Sequence, residues 1–196
     1  MADFTINRDT TALLIADFYA EAMGNLPHAV ERGVVARTAG LQAVAREAGL
    51  MVCYCATVFR PGYPEISERN KTFSARKASG QPAVFDPISL IHPDVRPRDD
   101  EVVVGKHRVN ALFGTGLDVA LTGSNIDTII LLGYATSGVV LSTTRFAADR
   151  DYRLYIVEDC CADSEPDVHD FLIGRILNRQ ADIVLADEAI AAIRAS

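Results

Sequence analysis

The sequence predicts an α/β protein with a mostly parallel sheet covered by helices on both faces. Three observations predict it. Six short apolar runs alternate with helix-like segments along the chain. The runs are continuous rather than alternating, which is the pattern of strands buried on both sides. Charged or polar residues follow directly at the ends of these runs, and in such sheets the ligand crevice lies outside the carboxyl ends of the strands.

Thr11 to Ala16 reads as the first strand, stopped by Asp17. Val30, Val34, Leu41, Val44 and Ala48 follow helical spacing, and Gly49 closes that helix. Leu50 to Phe59 is the second strand, ended by Pro61, Gly62 and Pro64. Residues 60–100 are mostly polar and broken by Pro82, Pro87, Pro93 and Pro97. They read as a long loop serving as a lid or a partner contact. Val102 to Val104 is the third strand and leads into Gly105-Lys106. Leu117 to Gly123 is a short helix. Asp127 to Leu132 is the fourth strand, followed by a helix from about Val139 to Ala148. Leu154 to Val157 is the fifth strand, ending at Glu158-Asp159. Val168 to Leu177 is helical, Ile183 to Leu185 is the sixth strand, and the tail from Asp187 is helical. No repeat or linker interrupts residues 1–196, so a single domain is expected.

The composition excludes several classes of function. The chain has 196 residues, 49% hydrophobic and 23% charged, with a net charge of -7. That is globular composition, and its charge would repel a phosphate backbone, so no nucleic-acid partner is expected. No stretch of about 18 apolar residues exists to span a membrane. The first nine residues lack a signal-peptide pattern, and a cytoplasmic location is the expectation. The cysteines, Cys53, Cys55, Cys160 and Cys161, form no CxxC pair or zinc frame.

The side chains at strand ends carry the candidate chemistry. Asp17, Phe59, Lys106, Tyr134 and Asp159 all fall on one rim of the sheet. A carboxylate after five apolar residues is a cap or a catalytic group. A lysine at the end of another strand becomes interesting only if it is buried beside that carboxylate. Asp159 reads as a structural cap, and His169 as a helix-surface or interface residue. Cys53 and Cys55 read as inert core thiols. Cys160 or Cys161, just past a strand end, could approach the cleft. The match of Ser74-Ala-Arg-Lys77 to SxxK lacks its companion motifs. Gly105-Lys106 lacks the rest of a P-loop, and neither GxGxxG nor GxSxG is present.

Three segments together resemble the isochorismatase-like superfamily, also called cysteine hydrolases. They are Thr11-Ala-Leu-Leu-Ile-Ala-Asp17, then Val102-Val-Val-Gly-Lys-His-Arg-Val-Asn-Ala-Leu-Phe-Gly-Thr-Gly-Leu-Asp118, and then Ile126 to Thr136 with Thr143, Ala147 and Asp151 to Asp159. The likeness runs from about residue 11 to 185. It implies a three-layer α/β/α sandwich, Rossmann-like, with a six-stranded parallel sheet. It makes Asp17 and Lys106 two members of the family's catalytic triad, and it sets Val139 where the amidase branches keep their cysteine. Valine cannot form the thioester of those amidases. Backbone N–H groups of Thr136, Ser137, Gly138 and Val139 remain candidates for an oxyanion site. Phe18, Tyr19, Phe59, Tyr63, His107, Arg108 and Tyr134 are candidates to line the substrate pocket. The nicotinamidase branch holds a metal through Asp-x-His after the second strand. Here that stretch is Ala56-Thr-Val-Phe-Arg60, so no metal and no cofactor is expected.

Three functions stay open on the sequence. The first is a small-molecule hydrolase using Asp17, Lys106 and water. The enol-ether cleavage of true isochorismatases, which needs no thiol, is one form of it, with Asp17 as general acid. The second is a non-catalytic binding protein that keeps the pocket. The third is a C–N amidohydrolase using Cys160 or Cys161. The family likeness also implies a homo-oligomer, dimer or tetramer.

Overall fold

A computed structural model describes residues 5–196. Met1–Phe4, the start of the segment read as lacking a signal peptide, lie outside the described residues. Six strands form one sheet: β1 (Thr11–Ala16), β2 (Met51–Thr57), β3 (Val102–Lys106), β4 (Thr128–Gly133), β5 (Arg153–Val157) and β6 (Asp182–Val184). Their order is β3-β2-β1-β4-β5-β6, and all five pairings are parallel. The expected sandwich is therefore the observed one, with strand order reversing between β1 and β4.

The central strands β1 and β4 are buried at every position, as strands covered on both faces must be. Eight α-helices accompany the sheet among the described residues: α1 (Ala20–Asn25), α2 (Pro27–Glu31), α3 (Val34–Glu47), α4 (Lys71–Ala78), α5 (Leu117–Gly123), α6 (Leu141–Ala148), α7 (Pro166–Phe171) and α8 (Ala186–Ala195). The chain steps from β1 to β2 in one direction and from β4 through β6 in the other. Right-handed crossovers then put α3 and α6 on opposite faces, and α8 returns to pack on α3. Asp159 ties that return. Its Oδ1 accepts the N–H of Ala186, the first residue of α8, at 2.8 Å, and its Oδ2 meets Arg37 of α3 at 3.1 Å.

β1 and α5 coincide with the sequence reading. Other elements differ for physical reasons. Val30 does not share the face of α3. It sits in α2, is 56% exposed, and is separated from α3 by Gly33 at φ 63°. Residues 60–100 hold a helix, α4, which the sequence reading treats as loop. Only Phe73 of α4 is buried, so the helix carries no apolar period. Its start is set instead by Asn70, whose Oδ1 accepts the Phe73 N–H at 3.1 Å. The expected helix from Val139 begins with a wide turn, Thr136–Val140, before α6 proper.

The returning segment 88–95 is pinned against the exit of β1. The His92 N–H donates to the Phe18 carbonyl at 2.9 Å, and Tyr19 and Ile91 form an antiparallel bridge. At the end of β4 the backbone comes close to β1. Gly133 has φ 151°, and a Cβ there would lie 2.0 Å from the Ala16 carbonyl oxygen. Only glycine fits that approach. No helix among the described residues is long and apolar enough to cross a membrane.

Candidate active site

Strand register brings three side chains together. Ala16 pairs with Cys55, and Thr57 pairs with Lys106. Asp17, Thr57 and Lys106 therefore reach one level at the carboxyl ends of β1, β2 and β3. Asp17 takes φ 49°, a left-handed conformation that aspartate tolerates better than most residues. Its N–H donates to the Cys55 carbonyl at 2.9 Å.

Asp17 and Lys106 form a buried ion pair. Lys106 Nζ lies 2.7 Å from Asp17 Oδ2, with side chains 1% and 9% exposed. The ammonium donates further to Thr57 Oγ1 at 2.6 Å and to the Arg108 carbonyl at 3.0 Å. Its three protons thus all have acceptors. Asp17 Oδ1 accepts from Tyr19 OH at 2.5 Å, from the Thr57 N–H at 2.9 Å and from the Thr57 hydroxyl at 3.3 Å. Burial, then the charge of Asp17, push the Tyr19 phenol well above its ordinary value, so it stays protonated and donates. Every one of these contacts to the carboxyl oxygens comes from a donor. That set suits a carboxylate, because a protonated Asp17 would need an acceptor for its own proton.

A cavity of about 750 Å³ opens over this pair, within the size range of small-molecule sites. Tyr19, Phe59, Phe73, Val109, Tyr134 and Val139 supply an aromatic and apolar wall, and Glu21 and Arg76 reach it from exposed positions. The crevice lies where strand order reverses between β1 and β4, as expected for such a sheet.

The structure brings Asp17, Tyr19, Phe59, Lys106, Tyr134, Gly138 and Val139 to the cavity, and leaves other expected residues out of it. Phe18 is 1% exposed and belongs to the main core, because successive residues past a strand end point in opposite directions. Tyr63 packs in a second cluster with Phe59, Ile66 and Phe73 and donates its hydroxyl to the Gln81 carbonyl at 2.6 Å. His107 turns its Nδ1 to the Val58 carbonyl at 2.7 Å. A ring nitrogen facing a carbonyl must carry its proton. Arg108 donates from Nη1 to the carbonyls of Glu65 and His107, which holds it against the loop and out of the cavity lining.

The oxyanion expectation also needs correction. The Thr136 N–H donates to the Ala162 carbonyl at 2.9 Å, and the Gly138 N–H to the Ala135 carbonyl at 3.0 Å. The Ser137 N–H donates to Asp163 Oδ2 at 2.7 Å. Three of the four candidate donors are committed inside the protein. Thr57, Val84, Ser89, Leu90 and Ala135 are cavity residues that sequence reasoning missed. Thr57 alone carried a signal, as a hydroxyl at the end of an apolar run.

None of the four thiols lines the cavity. All are free and buried. Burial pushes the thiols of Cys55 and Cys161 up to about 12 and raises those of Cys53 and Cys160 as well. A thiolate nucleophile at Cys160 or Cys161 conflicts with this placement. The native protein is expected to resist iodoacetamide and to take up four labels only when unfolded, read by intact mass. Rapid labelling of native Cys160 or Cys161 would restore the thiol mechanism.

Behind the Thr136–Val140 turn lies a buried polar network. His169 is 1% exposed rather than on the helix surface. Its Nδ1 lies 2.8 Å from Thr136 Oγ1 and its Nε2 3.4 Å from Glu158 Oε2. His169, with Arg32, holds the Glu158 carboxyl down at about 2, against an ordinary value of 4.5. A lowered folded value means that the ionised form stabilises the fold. That contribution is complete above about pH 4.5 and disappears as the pH falls towards 2. In denaturation curves, wild type should exceed Glu158→Gln in stability near neutrality, and the gap should close across that window. A gap that stays constant would reject the coupling.

The comparisons with known proteins agree with this architecture. The family model described as "Isochorismatase domain" matches residues 11–188. A maleamate amidohydrolase of Pseudomonas putida is 27% identical over 83% of this chain and 76% of its own length. A probable isochorismatase of Pseudomonas chlororaphis is 26% identical over 97% of this chain and 89% of its own. Among solved structures, an isochorismatase family protein from Burkholderia thailandensis superposes with a TM-score of 0.82 at 28% identity, covering 97% of this chain and 98% of that one. With a family model spanning all six strands and a solved relative of the same shape, the chain belongs to the isochorismatase family.

Proposed function

We propose that this protein hydrolyses a small molecule with Asp17 as the proton-transferring carboxylate, Lys106 as its fixed counter-charge and water as the nucleophile, without a covalent thioester. The observation that carries this reading is the donor set around Asp17. Tyr19, Thr57 and Lys106 all give hydrogen bonds to it, which supports Asp17 as a general base towards water rather than as an acid. Val139 lines the same cavity and offers no nucleophilic atom, so the attacking oxygen comes from solvent. Scission of an amide or ester fits a carboxylate base more directly than enol-ether cleavage, which begins with protonation of carbon. The likeness to a probable isochorismatase over nearly the whole chain favours keeping enol ethers among the candidates.

The test is a panel of small primary amides, esters and enol ethers, assayed on wild type, Asp17→Asn and Val139→Ala. Turnover that needs Asp17, tolerates Val139→Ala and leaves no acyl adduct by mass supports the proposal. Ligand binding without turnover at any pH would instead identify a non-catalytic binding protein. We further place the protein in the cytoplasm as one domain over 1–196. The four unpaired thiols favour a reducing compartment. Exposed Phe113, Val119 and Phe171 favour a homo-oligomer, a dimer or tetramer.

A further inference from the structure

With the N–H groups of Thr136, Ser137 and Gly138 committed, Val139 is the one turn candidate left in the cavity wall, and negative charge developing on a substrate oxygen calls for a side-chain donor beside it. Lys106 is close but has no proton to spare. Its three go to Asp17, Thr57 and the Arg108 carbonyl. The Thr57 hydroxyl is different. It accepts from the ammonium at 2.6 Å, which polarises its own O–H bond. The acceptor recorded for that O–H is Asp17 Oδ1 at 3.3 Å. This oxygen is already taken at 2.5 Å by Tyr19 and at 2.9 Å by the Thr57 N–H. A 3.3 Å contact is beyond the usual O–H···O range, so the Thr57 proton is the weakly held donor of the group. Thr57 is half-buried and lines the cavity beside the carboxylate and the ammonium.

We propose that the Thr57 hydroxyl, backed by Lys106, is a side-chain donor that meets the negative charge developing on the substrate's acyl oxygen. The assignment rests on the reading of Asp17 as general base. Water attacks the carbonyl carbon and its proton passes to Asp17. The carbonyl π pair moves onto oxygen, which accepts the Thr57 hydrogen bond. Collapse re-forms the C=O bond and expels the leaving group, which takes the proton from Asp17. No bond forms to Thr57, and its proton stays on Oγ1 throughout. A hydroxyl aimed at the oxyanion contributes more in the transition state than in the ground state, so it acts on kcat.

Thr57→Val and Thr57→Ser separate this role from packing. Valine keeps the branched shape and leaves the backbone N–H to hold Asp17. The experiment uses the most active amide or ester of the panel, on variants whose melting temperatures show them folded at the assay temperature. Thr57→Val is expected to lose about 10²–10³-fold in kcat with KM changed by less than about threefold. Thr57→Ser is expected to recover to within about tenfold of wild type. Wild-type kcat in Thr57→Val would overturn the assignment, and so would a serine variant as slow as the valine one. If Asp17→Asn is inactive while Thr57→Val is fully active, only the Thr57 role falls. If Asp17→Asn turns over normally, or if no amide or ester on the panel is hydrolysed, the underlying reading falls and this role with it.

Discussion

Asp17→Asn is expected to lower kcat by about 10²–10⁴-fold, the range contributed by a positioned general base or acid. The substitution is nearly isosteric. The amide oxygen can still accept from Tyr19 and Thr57, which hold Oδ1 in wild type. The amide nitrogen, however, then faces the Lys106 ammonium where Oδ2 stood at 2.7 Å. Two donors meet, and the ammonium loses its anion in a site 1% exposed. Loss of turnover should therefore come with a lower melting temperature. Val139→Ala is the control. It removes two buried methyl groups and should cost about 1–2 kcal/mol of stability while leaving kcat close to wild type. An Asp17→Asn protein with full turnover, or a Val139→Ala protein with none, would place the chemistry elsewhere.

Lys106→Met is expected to destabilise the fold by about 3–5 kcal/mol, the usual cost of removing one partner of a buried ion pair. In a domain of this size that corresponds to a melting temperature lower by about 6–20 °C. The physical cause is the carboxylate left behind. Asp17 keeps the Tyr19 hydroxyl and the Thr57 N–H but loses its counter-charge at only 6% exposure, and a hydrogen bond from cavity water does not supply the missing positive charge. A double-mutant cycle distinguishes this from lost packing. If the stranded charge dominates, Asp17→Asn combined with Lys106→Met should be more stable than Lys106→Met alone, because the second change removes the unpaired anion. Additive losses would mean that the lysine stem, rather than its charge, carries the stabilisation. Turnover should fall with either single variant.

The layered fold was legible because its strands are self-declaring. Thr11–Ala16 is apolar throughout and stopped by a charge, so its ends in the structure coincide with those in the sequence. Helix α4 was illegible for the opposite reason. It buries one residue, Phe73, and is specified by the Asn70 cap, a local hydrogen bond that leaves no apolar period. The turn at Thr136–Val140 shows a second limit. The Thr136 and Ser137 N–H groups look free in a linear reading because their acceptors, Ala162 and Asp163, come from a segment 26 residues away.

The sequence by itself determined the sheet, the positions of Asp17 and Lys106 at strand ends, and the absence of a thiol at Val139, since each depends only on residue type and local pattern. Tertiary structure alone decided which neighbours face the cavity. Phe18, His107 and Arg108 adjoin the key residues in the chain yet point into the core or the loop, whereas Thr57 and Phe73 are distant in sequence and stand in the wall. A strand's alternation and its register with the next strand settle such matters, and register arises between segments that meet only once the chain has folded.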